Sequence, residues 1–196
     1  ASSCSALLPA PAPQPSYYSL DGIPTKSRTP PSTSITLTTV KPTIIITTPR
    51  ASAGFDTRHM IYMRQAHKLE YFAHSEWVNA PAHMLAPLIM TAIEGSNAFN
   101  AVVLSPANVS GDFRLDSEVV RLQQEFDSQP SKVRFTLRVY MVDNATRKVI
   151  AMREFDETAI ANSDDPYGGV IAANHAVQLV LEKLTAFCSD VFIQNK

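Results

Sequence analysis

The chain has 196 residues, with 17 basic against 18 acidic side chains and a formal net charge of −1. That length can bury a core without a disulfide framework and allows one domain, or one domain with a tail. The charge balance excludes a general phosphate-backbone binder, which needs clustered Lys and Arg, so no nucleic-acid partner is expected.

Proline is unevenly spread. There are 14 Pro and 6 Gly, and Pro9, Pro11, Pro13, Pro15, Pro24, Pro30, Pro31, Pro42 and Pro49 all fall in the first 50 residues. Residues 1 to 16 (ASSCSALLPAPAPQPS) are uncharged but too short and too Pro-broken for a membrane-spanning helix. The alternation from Pro9 to Pro15 favours polyproline II, an extended spacer. Residues 24 to 34 are a second irregular, Pro- and Ser/Thr-rich stretch. Between the two lies SYYSLDG (16 to 22), read as a short strand docking on the body. The tether therefore ends near residue 16: residues 1–15 form the tether, and residues 16–196 a single domain.

Cys4 stands after three small residues and before this spacer. A bacterial lipoprotein signal leaves that arrangement, with the Cys acylated. An incidental thiol and a disulfide to Cys188, the one other cysteine, stay open beside it.

Residues 35 to 48 (ITLTTVKPTIIITT) are rich in β-branched side chains and predict two short strands, or one edge strand broken at Lys41-Pro42. His59–Arg64 and Lys68–Phe72 flank Gln65-Ala66-His67 as a hairpin. From Asn79 to Glu94, Met84, Leu85, Leu88, Ile89, Ala92 and Ile93 recur at helical spacing. Asn79 is the expected N-cap, Pro87 an expected kink or restart, and Gly95 the stop. Strands follow at Phe99–Leu104 and Phe113–Phe126. Val133, Phe135, Leu137, Val139 and Met141 alternate with polar residues, and Asp143 to Thr146 turns that strand into Val149–Phe155. Asp164 or Asp165 caps a last helix, whose apolar face runs from Val170 to Phe187 and ends at Cys188. The order predicts an α+β fold: an antiparallel-rich mixed sheet with two long helices packed on it.

Motif chemistry is absent. No GxGxxG, HExxH, CxxC or GxSxG occurs, and His59, His67, His74, His83 and His175 show no ligand spacing. No catalytic residue, metal or cofactor is expected. Glu154, Asp156 and Glu157 read as a solvated strand end. The aromatic run from Tyr71 to Trp77 reads as a lock at a sheet-to-helix corner. Its sharper alternative is a partner-binding patch of Tyr71, Phe72 and Trp77.

Asp56 to Ile89 resembles the auxiliary lipoprotein component of ABC-type transport systems, the PqiC-like group. The shared features are Tyr18-Ser19-Leu20, Arg58 to Tyr62, Leu69-Glu70-Tyr71-Phe72, Trp77, Pro81, and Leu115 to Phe126 with its Glu125-Phe126 end. The resemblance covers residues 16 to 188. It implies a non-enzymatic lipoprotein facing the periplasm from the outer membrane, attached to that membrane through acylated Cys4. It also implies a cell-envelope lipid-transport role beside an MCE-type protein of the same system, and it leaves self-association open. A lipid- or small-molecule-binding module with an apolar pocket between helix and sheet is the alternative. An enzyme whose site only folding assembles is a third.

Overall fold

The computed structural model describes residues 14–21 and 41–194. Cys4, most of the spacer, the second Pro-rich stretch and residues 35 to 40 lie outside the described residues. The chain order is β1 (Ser16–Tyr18), β2 (Thr43–Ile46), β3 (Arg50–Ala51), β4 (His59–Gln65), β5 (Lys68–Trp77), α1 (Pro81–Gly95), β6 (Ala101–Leu104), β7 (Phe113–Glu125), β8 (Lys132–Asp143), β9 (Lys148–Ile160) and α2 (Pro166–Gln194). The described strands form one nine-stranded mixed sheet, and both helices pack on it, so the α+β expectation holds.

Strand β7 organises the sheet. Along one edge it pairs antiparallel with β8, and β8 pairs antiparallel with β9. Its other edge is shared by three strands in succession, all parallel to it. Ile44 to Ile46 lie opposite Phe113 to Leu115, Arg50-Ala51 opposite Glu118-Val119, and Tyr62-Met63 opposite Gln124-Glu125. The β4–β5 hairpin and β1 continue from the last of these, with β1 parallel to the end of β5. The long ladders are antiparallel and the short ones mostly parallel.

One of the two readings of the β-branched run places it at an edge, and the other gives two short strands. Strand β2 is interior, held between β6 and β7 with Ile44 and Ile46 at 0% exposure. Pro42 sits before the strand starts, where its missing N–H removes no ladder bond. Strand β3 has no counterpart in the sequence reading. Strand β9 extends to Ile160, past the expected end at Phe155.

Helix α1 is also corrected in detail. Its N-cap is Ala80, with Pro81 next, and no side chain caps it. Asn79 Oδ1 accepts from the Ala80 N–H at 2.8 Å, so it serves the preceding turn. The helix runs through Pro87 to Gly95 without a restart. Pro87 lies on the exposed side, as does His83, the residue one turn back whose carbonyl it leaves without an N–H partner. The left-handed residue beyond its end is Asn97, at φ 54°.

Helix α2 begins as expected, with a division of labour between its two aspartates. Asp165 Oδ1 accepts the Gly168 N–H at 2.8 Å and is the N-cap. Asp164 Oδ1 accepts the Ser131 N–H at 2.7 Å and ties the helix start to β8. These backbone donors hold both carboxyls below the ordinary carboxylate range. Val177, Val180, Leu184 and Cys188 then face Phe135, Leu137 and Val139 in a fully buried core. Among the described residues no helix is long and apolar enough to cross a membrane.

The face of β7–β9 away from the helices carries paired charges. Arg138 bridges Glu118 at 3.3 Å and Glu154 at 2.7 Å, and Arg134 meets Asp156 at 2.9 Å. Glu157 pairs with Lys183 of α2. Glu154, Asp156 and Glu157 do not lie at a strand end, where the sequence places them, but within β9, which among the described strands pairs with β8 alone and so forms an edge.

Candidate functional site

The β4–β5 hairpin carries the aromatic residues singled out in the sequence, and it separates them. The turn at Gln65-Ala66-His67 places His67 at φ 68°. Ile61 pairs with Tyr71 and Tyr62 with Glu70, but His59 pairs with Glu76. Strand β5 thus bulges outward between Tyr71 and Glu76, which bends the hairpin and re-aims its side chains.

Trp77 is 4% exposed and closes the corner between β5 and α1, as the corner-lock reading expected. Its ring is therefore not part of the surface. Phe72 is half-buried. It lies 4.5 Å from Tyr62 and 6.5 Å from Phe126 between ring centroids, and Tyr62 meets Phe126 edge-on at 5.8 Å. The exposed Arg64 guanidinium stands over both Tyr62 (4.9 Å) and Phe126 (5.5 Å). Tyr71 belongs to a different group, with its ring 4.9 Å from that of His59.

Sequence reading missed the cluster of Tyr62, Phe126 and Arg64. Half of its signal was present. Tyr62 and Phe72 stand on either side of the hairpin turn, where cross-strand aromatics pair. Phe126 arrives through the parallel contact of β4 with the end of β7, which no local pattern announces.

A gap between α2 and the sheet, where the alternative reading places an apolar pocket, lies beside this hairpin. Met60, Phe72, Trp77, Leu122, Gln124 and Gly169 line it. Its volume is about 10 Å³, which is about the room one water needs, so an acyl chain does not fit this conformation. Gln124 explains the tightness. It is 3% exposed, and its Nε2 donates to Ser131 Oγ at 2.9 Å. A Cβ added at Gly169 would stand 2.1 Å from Gln124 Oε1. Glycine there lets the first turn of α2 close onto β7.

Cys188 is a free thiol at 0% exposure, and burial pushes its pKa up to about 12. It is a core side chain and not a nucleophile. Among the described residues no group of His, Cys, Asp or Glu could hold a metal ion.

The class is that of a mixed-sheet α+β domain entered through a short N-terminal strand. A crystallised protein from Xanthomonas campestris has this fold, at TM-score 0.73 and 19% identity, over 80% of this chain and 88% of that one. A second crystallised protein, described only as uncharacterized, matches at TM-score 0.68 and 11% identity over 90% and 99%. No curated protein matches the chain. The model of the ABC-type transport auxiliary lipoprotein component matches residues 18–185, and the chain belongs to that family. It is thus an auxiliary component of an ABC-type transport system, and its lipoprotein family places it at a cell-envelope membrane.

Proposed function

We propose that this chain is a non-enzymatic accessory subunit of an envelope lipid-transport machine. Acylated Cys4 holds it to the periplasmic side of the outer membrane, and it docks an MCE-type protein of the same system. One observation carries the docking: the half-exposed cluster of Tyr62, Phe72 and Phe126 under the Arg64 guanidinium. Tyr and Arg dominate binding hot spots, because both offer large contact area with a polar handle. A rigid aromatic floor with a charged rim is the form such an anchor takes. The tightness of the gap beside α2 supports a role exercised at the surface over one that encloses a lipid.

A photoreactive residue in place of Arg64, crosslinked in intact cells, tests the docking. The expected adduct contains the MCE-type protein of the same transport system, and a probe at Val149 on β9 gives none. Equal adducts at both positions, or undiminished co-purification from Arg64→Glu, would overturn it. Labelling with a clickable fatty acid tests the anchor separately: Cys4→Ala should lose the label.

A further inference from the structure

A second surface group lies on the same hairpin, next to where the tether enters the domain. It is a continuous chain of contacts across β1, β5 and β4. The Tyr17 ring lies under the Arg58 guanidinium at 5.4 Å. Arg58 reaches Glu76 at 3.6 Å, and Glu76 faces His59 at 3.8 Å. His59 in turn stacks against Tyr71. Tyr17 is 54% exposed and Tyr71 47%, and Leu69, two residues along the same strand, is also exposed. The core explains none of this exposure.

We propose that this patch rests on the lipid headgroup layer of the membrane that holds the anchor. The inference builds on the anchored reading above. Three observations converge on it. Eleven residues, 5 to 15, separate Cys4 from Ser16 in the sequence, and Ser16 and Tyr17 open the first described strand, so this patch is the described surface nearest the anchor along the chain. The side chains are of the kind that settle at a headgroup boundary, an apolar body with a polar tip: two tyrosines, an arginine and a histidine. Glu76 answers the charge of Arg58, so the patch does not depend on anionic lipid and its contact should be insensitive to salt. The Phe72 cluster, which takes the neighbouring residue of β5, then remains free for the protein partner.

The test uses the full chain made without acylation. Cys4 is coupled to a maleimide lipid in phosphatidylcholine vesicles, while buried Cys188 does not compete. Hydroxyl-radical footprinting then compares this sample with the same chain coupled to soluble polyethylene glycol. Several-fold slower oxidation of Tyr17 and Tyr71 on vesicles alone is expected, with Met152 on β9 unchanged. Unchanged rates at the two tyrosines overturn the proposal, as does equal protection on the soluble polymer. Protection that appears only after the partner protein is added also overturns it and makes the patch a protein interface. Because coupling supplies the tether chemically, the patch can fail while acylation of Cys4 stands, and the reverse.

Discussion

The β7–β9 half of the sheet and the β4–β5 rim are built on different terms. β8 follows β7 with one bulge, between Val119 and Arg121, and β9 follows β8 with one more. Aliphatic side chains at or near zero exposure fill the helix side of this half, and paired charges cover the other side. The hairpin loses register twice within the seven residues of β4, and its aromatics stand half out of the core. Along β7 and β8 every residue is buried or half-buried, although edge strand β9 leaves Val149, Met152 and Ile160 open. In the hairpin, large side chains are held in place with one face unspent. Stability belongs to the one, and the proposed contact surfaces lie on the other.

Core truncation offers the strongest challenge to that division. Leu137→Ala should cost about 2–5 kcal/mol, read as a lower urea midpoint at unchanged slope. Tyr71→Ser should stay within about 0.5 kcal/mol of the parent. A cost at Tyr71 approaching that at Leu137 would make the rim part of the scaffold.

The seam between the halves is the next test. A Cβ at Gly168 would stand 2.2 Å from the Ser163 backbone carbonyl oxygen, whereas at Gly169 it meets only the end of the Gln124 side chain. Gly168→Ala should therefore lower stability by about 1–3 kcal/mol, with Gly169→Ala below it. Gln124→Ala should relieve Gly169→Ala but not Gly168→Ala, giving a coupling above about 0.5 kcal/mol in a double-mutant cycle.

Acid should act at the same seam. Asp164 and Asp165 both have lowered folded pKa values. Their contribution is thus complete above the unfolded carboxyl value of about 3.9 and is lost as pH falls through the lower folded values. The melting temperature should drop below about pH 4, and less steeply in Asp164→Asn/Asp165→Asn, which keeps an acceptor oxygen at both positions. An equally steep acid limb in that variant would move the titration elsewhere.

The smallest effect is expected on the charged face. Arg134 and Asp156 are each 37% exposed, so removing the pair should change stability by about 0–1 kcal/mol, and less in high salt.

Much of the scaffold was legible because its signals are local. Strict alternation from Val133 to Met141, the 3.6-residue spacing in both helices and the Asp-Asp-Pro start of α2 each report a structure formed by near neighbours. The interior position of β2 was not legible. Four β-branched residues look alike at an edge or in the middle, and their partners come from β6 and β7, distant in sequence. Strand β3, two residues long, has no periodicity to read. For the candidate site, aromatic density around Trp77 pointed to the right hairpin, but the register break in β5 decides which ring goes where. That break buries Trp77, gives Phe72 to the Phe126 cluster and leaves Tyr71 with His59. The family resemblance, carried by short motifs in order, agreed with the match over residues 18–185.

Strand β1 has a mechanical meaning. It is three residues long, parallel to the end of β5, and the Val78 N–H closes it onto the Tyr18 carbonyl at 2.8 Å. Just beyond it, Asn174 of α2 grips the chain at two points, accepting the Asp21 N–H at 2.8 Å and donating to the Ser19 carbonyl at 3.2 Å. A pull applied to the chain ahead of Ser16 would therefore load the hairpin rim first, through a few hydrogen bonds. Asn174 is the buckle that stops it there. A pull strong enough to peel β1 would disturb the surface clusters while the α2 core stays shut, so the domain can give at its first strand without coming apart.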